Sequence, residues 1–186
     1  VSVTEVTEVA KPRRGRQTVR DMVLSLGLMA VVIGVSLLFV PSLIHPSSQD
    51  RYPAFDNSGV VEGFHQVTGV NPLVPGALPS DWRATSGTLT GPRAREHMHL
   101  GYAAPGRSYA GLEESVGPAA DLVSTVLGKA GTTVTGTVAV NGVGWQRRPA
   151  PGGEVALMHV SGSLTVIVTG SASVPDLVRF AAGLHS

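Results

Sequence analysis

The sequence predicts an α+β protein: one N-terminal transmembrane helix, then an extracytoplasmic antiparallel sheet domain with about seven strands and two to three helices. Three observations carry this. Residues Met22 to Ile44 hold no charged side chain. Beyond them, short alternating segments are joined by tight-turn residues, which pair neighbours antiparallel. Two runs with helical apolar spacing follow groups of strands, each with its own start signal.

Residues 1–21 read as a disordered, basic cytoplasmic tail. The first ten are too short and polar to offset the entropy of ordering. Thr4 and Thr7 each precede Glu, a pattern open to phosphorylation, but threonine in a solvated terminus needs no special explanation.

Residues 22–44 read as the membrane span. As a helix they reach roughly 34 Å, enough to cross a bilayer core. Leu, Ile, Val and Phe make up 14 of them, and no polar face interrupts the run as it would on a core helix. A cleaved signal peptide needs small residues at its cleavage site, where Leu43 and Ile44 stand instead. The absence of cysteine excludes a lipid-modified anchor. Lys11, Arg13, Arg14, Arg16 and Arg20 hold the N-terminus in the cytoplasm and put everything after His45 outside. Gly27 and Gly34 fall on one face and would let a second helix approach, although glycine is common in such spans without a partner.

Residues 45–56, with Pro46, Ser47, Ser48 and Pro53, form a linker to a domain over 57–186. Asn57 or Ser58 caps a short helix with Val60, Val61, Phe64 and Val67 on one face. Asn71 to Pro79 is an extended, proline-rich segment. Strands are expected over Trp82–Thr90, Glu96–Ala103 and Arg107–Glu114. In the second, His97, His99 and Gly101 share one face and Met98, Leu100 and Tyr102 the other. A helix starts at Pro118, turns Leu122, Val123 and Val126 inward and stops at Gly128. Four more strands are expected over Thr133–Val140, Val143–Arg148, Glu154–Ser161 and Leu164–Gly170, with Asn141-Gly142 a strong hairpin signal. The last helix opens with Ser173 and Asp176 as a capping-box variant and buries Leu177, Phe180, Ala181 and Leu184.

The net charge of +1 hides an asymmetry. Residues 1–21 carry five of the 14 basic and three of the 13 acidic groups, so the remaining chain is near neutral. Nucleic acid is therefore not an expected partner, since phosphates demand a basic face. The lipid bilayer is, with the basic tail attracted to anionic headgroups. Without cysteine there is no disulfide and no thiol chemistry. Lysine occurs only at 11 and 129, and the excess of Arg, Ala, Gly and Val suits a GC-rich bacterial genome.

No motif declares a reaction. His97 and His99 form an H-x-H pair with both rings on one side, but zinc wants three or four ligands and only the distant His65 and His159 are candidates to complete them. Glu113 and Glu114 point to opposite faces, cannot pair with each other, and read as solvated strand-end charge. Ser163 belongs to a hairpin turn rather than a nucleophile elbow. Trp82 and Trp145 read as strand-borne core anchors, and Arg147 and Arg148 as solvated. No catalytic, cofactor-binding or metal residue is assigned.

Six stretches together carry a resemblance: Arg16 to Ser25, Leu78 to Ser86, His99 to Tyr102, Tyr109 to Ser115, Val140 to Arg148 and Val166 to Gly170. The sequence resembles an actinobacterial family of single-pass membrane proteins of unknown function, over about residues 16–185. That resemblance implies a topology and a bacterial group, and no activity. The sequence favours a non-enzymatic binding or scaffold module of the cell envelope. Two other readings stay open: an accessory subunit of a larger, possibly respiratory, membrane complex, meeting it through the span or the external domain, and a metal-binding or hydrolytic envelope enzyme.

Overall fold

A computed structural model describes residues 22–24, 26–29, 54–92 and 96–186. The chain forms two compact units, residues 1–47 and 48–186. In the first, residues 22–24 and 26–29 are helical. No helix among the described residues is long and apolar enough to cross a membrane. The expected tail, most of the expected span, including Gly34, and the first part of the linker lie outside the described residues.

The second unit is α+β. Helix α1 (Ser58–Thr68) and the short strand β1 (Val74–Pro75) precede β2 (Arg83–Thr90), β3 (His97–Ala104) and β4 (Ser108–Val116). Helix α2 (Ala119–Leu127) leads to β5 (Gly136–Val140), β6 (Val143–Pro149), β7 (Val155–Ser161) and β8 (Leu164–Gly170). Helix α3 (Val174–Ala182) and β9 (Leu184–His185) close the chain. Seven strands form one sheet in the order β2-β3-β4-β8-β7-β6-β5, and every pairing is antiparallel. Two meanders therefore meet at β4 and β8, and α2 carries the chain from one meander to the other.

The turns show why these residues fold this way. Asn141 and Gly142 have φ of 50° and 80°, so both corners of the β5–β6 hairpin are left-handed, as its type I′ turn requires. The β3–β4 turn puts Gly106 and Arg107 at φ of 69° and 64°. It sets a register in which His99 faces Glu113 and Gly101 faces Gly111.

One sheet face packs on α1 and α3, with Met98, Leu100, Tyr102, Leu112, Val166 and Val168 buried beneath them. The other face is covered only in part. Leu122, Val123 and Leu127 of α2 close over Ala156, Met158 and Ile167. Among the described residues no helix covers this face over β2, β3 and the first half of β4, and Thr88 and Thr90 are exposed on it.

Several expectations need correction. Asn57, one of the two expected residues, holds the N-cap position of α1, but its side chain makes no capping hydrogen bond. Asp56 accepts the Ser58 N–H at 2.9 Å, while the Asn57 amide reaches Tyr102 Oη at 3.1 Å. Val67 is exposed, because the helix rolls onto Phe64 and seats Thr68, whose hydroxyl bonds the Phe64 carbonyl. Leu184 lies past the Gly183 cap, in β9, which pairs with β1 and ties the proline segment to the C-terminus. Trp82 sits just before β2, not in it, and stacks on Phe180 with ring centroids 5.2 Å apart.

Candidate functional site

Glu113 organises the open part of the sheet. Residues of β3 and β4 in register share a face, so His97, His99 and Gly101 stand beside Ser115, Glu113 and Gly111. His97 Nε2 donates to Glu113 Oε2 at 2.7 Å, and His99 Nδ1 donates to Oε1 at 2.6 Å. Tyr109 Oη lies 3.1 Å from His99 Nε2, and the Ser86 hydroxyl bonds the Tyr109 phenol. Five side chains from three strands thus form one row: Ser86, Tyr109, His99, Glu113, His97.

Two glycines make room for it. A Cβ on Gly101 would collide with Ser86 Oγ and sit 2.6 Å from the Tyr109 hydroxyl. On Gly111 it would press on Glu113 and Tyr109 at 3.3 and 3.4 Å. The tyrosine ring folds back across this pair to reach His99.

The electrostatics agree with the geometry. Burial opposes ionisation of Glu113, but the hydrogen bonds from His97 and His99, with the charge on both rings, outweigh it and lower its pKa. The hydrogen bond to Glu113 raises the His99 pKa against the effect of burial. Burial, then the Glu113 charge, raises the Tyr109 pKa against the Ser86 hydrogen bond. The Glu113 side chain is 9% exposed and the two rings 21% and 27%, so the carboxylate is shielded and the imidazoles are reachable.

Glu113 and Glu114 do point to opposite faces, but neither is a solvated strand-end charge. Glu114 is fully buried under α1 and α3, where both its oxygens accept the Leu73 N–H at 3.0–3.1 Å. Burial lifts its pKa to about 8 against that hydrogen bond, so the group is a neutral acid at pH 7.

The remaining candidates stand apart from the site. His65 is exposed on α1, and His159 stacks on Trp145 at 5.3 Å. Among the described residues no three His, Asp or Glu side chains are placed to hold a metal ion. The two rings bond different oxygens of one carboxylate instead of converging on a point. Arg148 is not solvated: its guanidinium holds the Gly131 carbonyl at 2.6 Å and Gln146 Oε1 at 2.7 Å, pinning the segment after α2. Arg147 is exposed, and Ser163 occupies the β7–β8 turn. Trp145 is buried in β6, as expected.

Tyr109 and Ser86 are site residues that the sequence reading missed, and Glu113 is one that it read as solvated. A signal existed. Counting outward from the Pro105-Gly106-Arg107 turn puts Glu113 opposite His99, which would have joined the carboxylate to the H-x-H pair.

Beside His97 lies a hollow of about 310 Å³, between the end of β4 and the first turns of α2. Among the described residues Ser115, Val116, Pro118, Asp121, Leu122, Ser124 and Thr125 also line it.

No curated protein matches the chain. The family described as "Protein of unknown function (DUF4245)" matches residues 14–184, from the basic tail to the last strand. The chain belongs to this family, DUF4245, a domain of unknown function.

Proposed function

We propose that this chain is a membrane-anchored protein of an actinobacterial cell envelope, a non-enzymatic binding module facing the exterior. Residues 22–44 are its single span and residues 1–21 its cytoplasmic tail. The observation that carries the binding role is the uncovered sheet face with the Glu113 row on it. A buried carboxylate that holds two reachable imidazoles in fixed orientation stabilises a surface for recognition, and a merely solvated face has no use for it. The hydroxyl bonded to His99 is the Tyr109 phenol, whose pKa burial raises, so it is a poor nucleophile and binding is preferred to catalysis.

A photoreactive residue placed at Thr88 of the open face, with Glu62 on α1 as control, tests the role in intact membranes. The expected result is an adduct from position 88 and none from position 62. Monomer alone from both positions, or an adduct only from 62, would contradict it.

A further inference from the structure

The Glu113 row has a direction, and one proton sets it. Ionised Glu113 only accepts, so His99 Nδ1 donates to it whether the ring is neutral or charged. The ring therefore titrates on Nε2, which lies 3.1 Å from Tyr109 Oη. On the neutral ring this nitrogen is a lone pair. Tyr109 then donates its proton to Nε2, and its oxygen accepts the Ser86 O–H. On the charged ring Nε2 carries a proton and donates to the phenol oxygen. The phenol proton then turns to another acceptor. The Tyr109 and Ser86 oxygens converge over Gly101, which puts Ser86 Oγ at hand. Burial keeps Tyr109 protonated in both states.

The groups around His99 are few. Among the described residues, β4 sets Glu113 and Tyr109 beside the ring, and β3 adds His97. Strand β2 places Ser86, Thr88 and Thr90 on this face. Arg83, which has a partner of its own, stands in register with Ala103 at the Tyr109 end. From α2, Asp121 lines the hollow beside His97 and also has a partner. Both His99 nitrogens are bonded within the row, and the bond to Glu113 favours the added proton against burial.

We propose that the row is a proton-operated switch: a proton taken from solvent by His99 Nε2 reverses the hydrogen bonds between His99 and Ser86 and turns the Ser86 O–H outward as a donor on the open face. Above the His99 midpoint Ser86 offers a lone pair to a partner, and below it a proton. The inference rests on the binding-module reading and supplies its regulation.

A pH titration of the ¹³C,¹⁵N-labelled full chain in detergent tests the reversal. Nε2 of His99 should take the proton while Nδ1 stays protonated, and Tyr109 Cζ and Ser86 Cβ should move with the same midpoint. In Tyr109→Phe, which cuts the chain of hydrogen bonds, His99 should still titrate and Ser86 should lose its response. An unmoved Ser86 Cβ in the parent, an equal response in Tyr109→Phe, or protonation at Nδ1 instead of Nε2 would overturn the proposal. Should Tyr109→Phe fail to fold, the parent decides alone, and midpoints for Tyr109 or Ser86 that differ from that of His99 overturn it. In membranes, the yield of the position 88 adduct should change across this midpoint and stay level in Ser86→Ala. A constant yield from the parent sinks this inference only, whereas no adduct at any pH sinks the binding-module reading as well.

Discussion

Glu113 and Glu114 are neighbours with opposite chemistry. Glu113 faces two imidazoles and is held ionised, whereas Glu114 faces Leu112, Met98 and a single backbone N–H and is held neutral. Their pH signatures differ in sign. Glu113 has a lowered pKa, so its contribution is full above the ordinary 4.5 and is lost as pH falls through the lowered value. His99 has a raised pKa, so its contribution is full below 6.5 and is lost as pH rises through the raised value. Together they contribute most between these two ordinary values. Glu113→Gln should cost about 2–3 kcal/mol within that window, measured by denaturant unfolding, and the loss should shrink on both sides of it. For Glu114 the folded pKa of about 8 exceeds the ordinary 4.5, so stability declines as pH rises between them and then levels off. Glu114→Gln keeps an acceptor for Leu73 and removes the ionisation. It should be more stable than the parent above pH 8, by at most about 5 kcal/mol, and should lose that advantage in acid. Equal unfolding midpoints for parent and variant at all pH values would refute the buried-acid account.

The β3–β4 hairpin positions the site, and its two facing glycines are its most demanding feature. Gly101→Ala adds a methyl where Ser86 and Tyr109 already meet, and should cost about 1–3 kcal/mol while breaking the contact between Tyr109 and His99. Tyr109→Phe should leave the fold intact and move only the His99 titration. Ser173→Ala removes the α3 cap, whose oxygen accepts the Asp176 N–H at 3.3 Å, and should cost about 1 kcal/mol. The elements were legible because each carries a local signal. Alternation marks His97 to Ala104, Asn141-Gly142 marks a hairpin, and Ser173 with Asp176 marks a helix start. The site was less legible, since it depends on pairing across strands. Alternation separates Glu113 from Glu114 but does not say what each one meets. Only the register puts Glu113 against both histidines and the core against Glu114. The pairing of β1 with β9 escaped for the same reason: 110 residues separate Pro75 from His185, and no short-range pattern links them.

At the scale of the whole molecule, the proposed function requires a membrane anchor and an extracytoplasmic domain. The chain should pellet with membranes and resist an alkaline wash, and protease added to intact cells should cut residues 54–186 while sparing the tail. Release by the wash would refute the anchor. The helices divide the labour within the described domain. Helices α1 and α3 cover one face and make it core, and α2 covers about half of the other. What is left open carries the Glu113 row, so the central claim is that one carboxylate fixes both rings. Imidazole ¹⁵N resonances of the full chain across a pH titration test this most directly. The account predicts His97 protonated on Nε2, a His99 midpoint above 6.5, and return of that midpoint toward 6.5 in Glu113→Gln. A His99 midpoint at or below 6.5 in the parent, unchanged by Glu113→Gln, would contradict it.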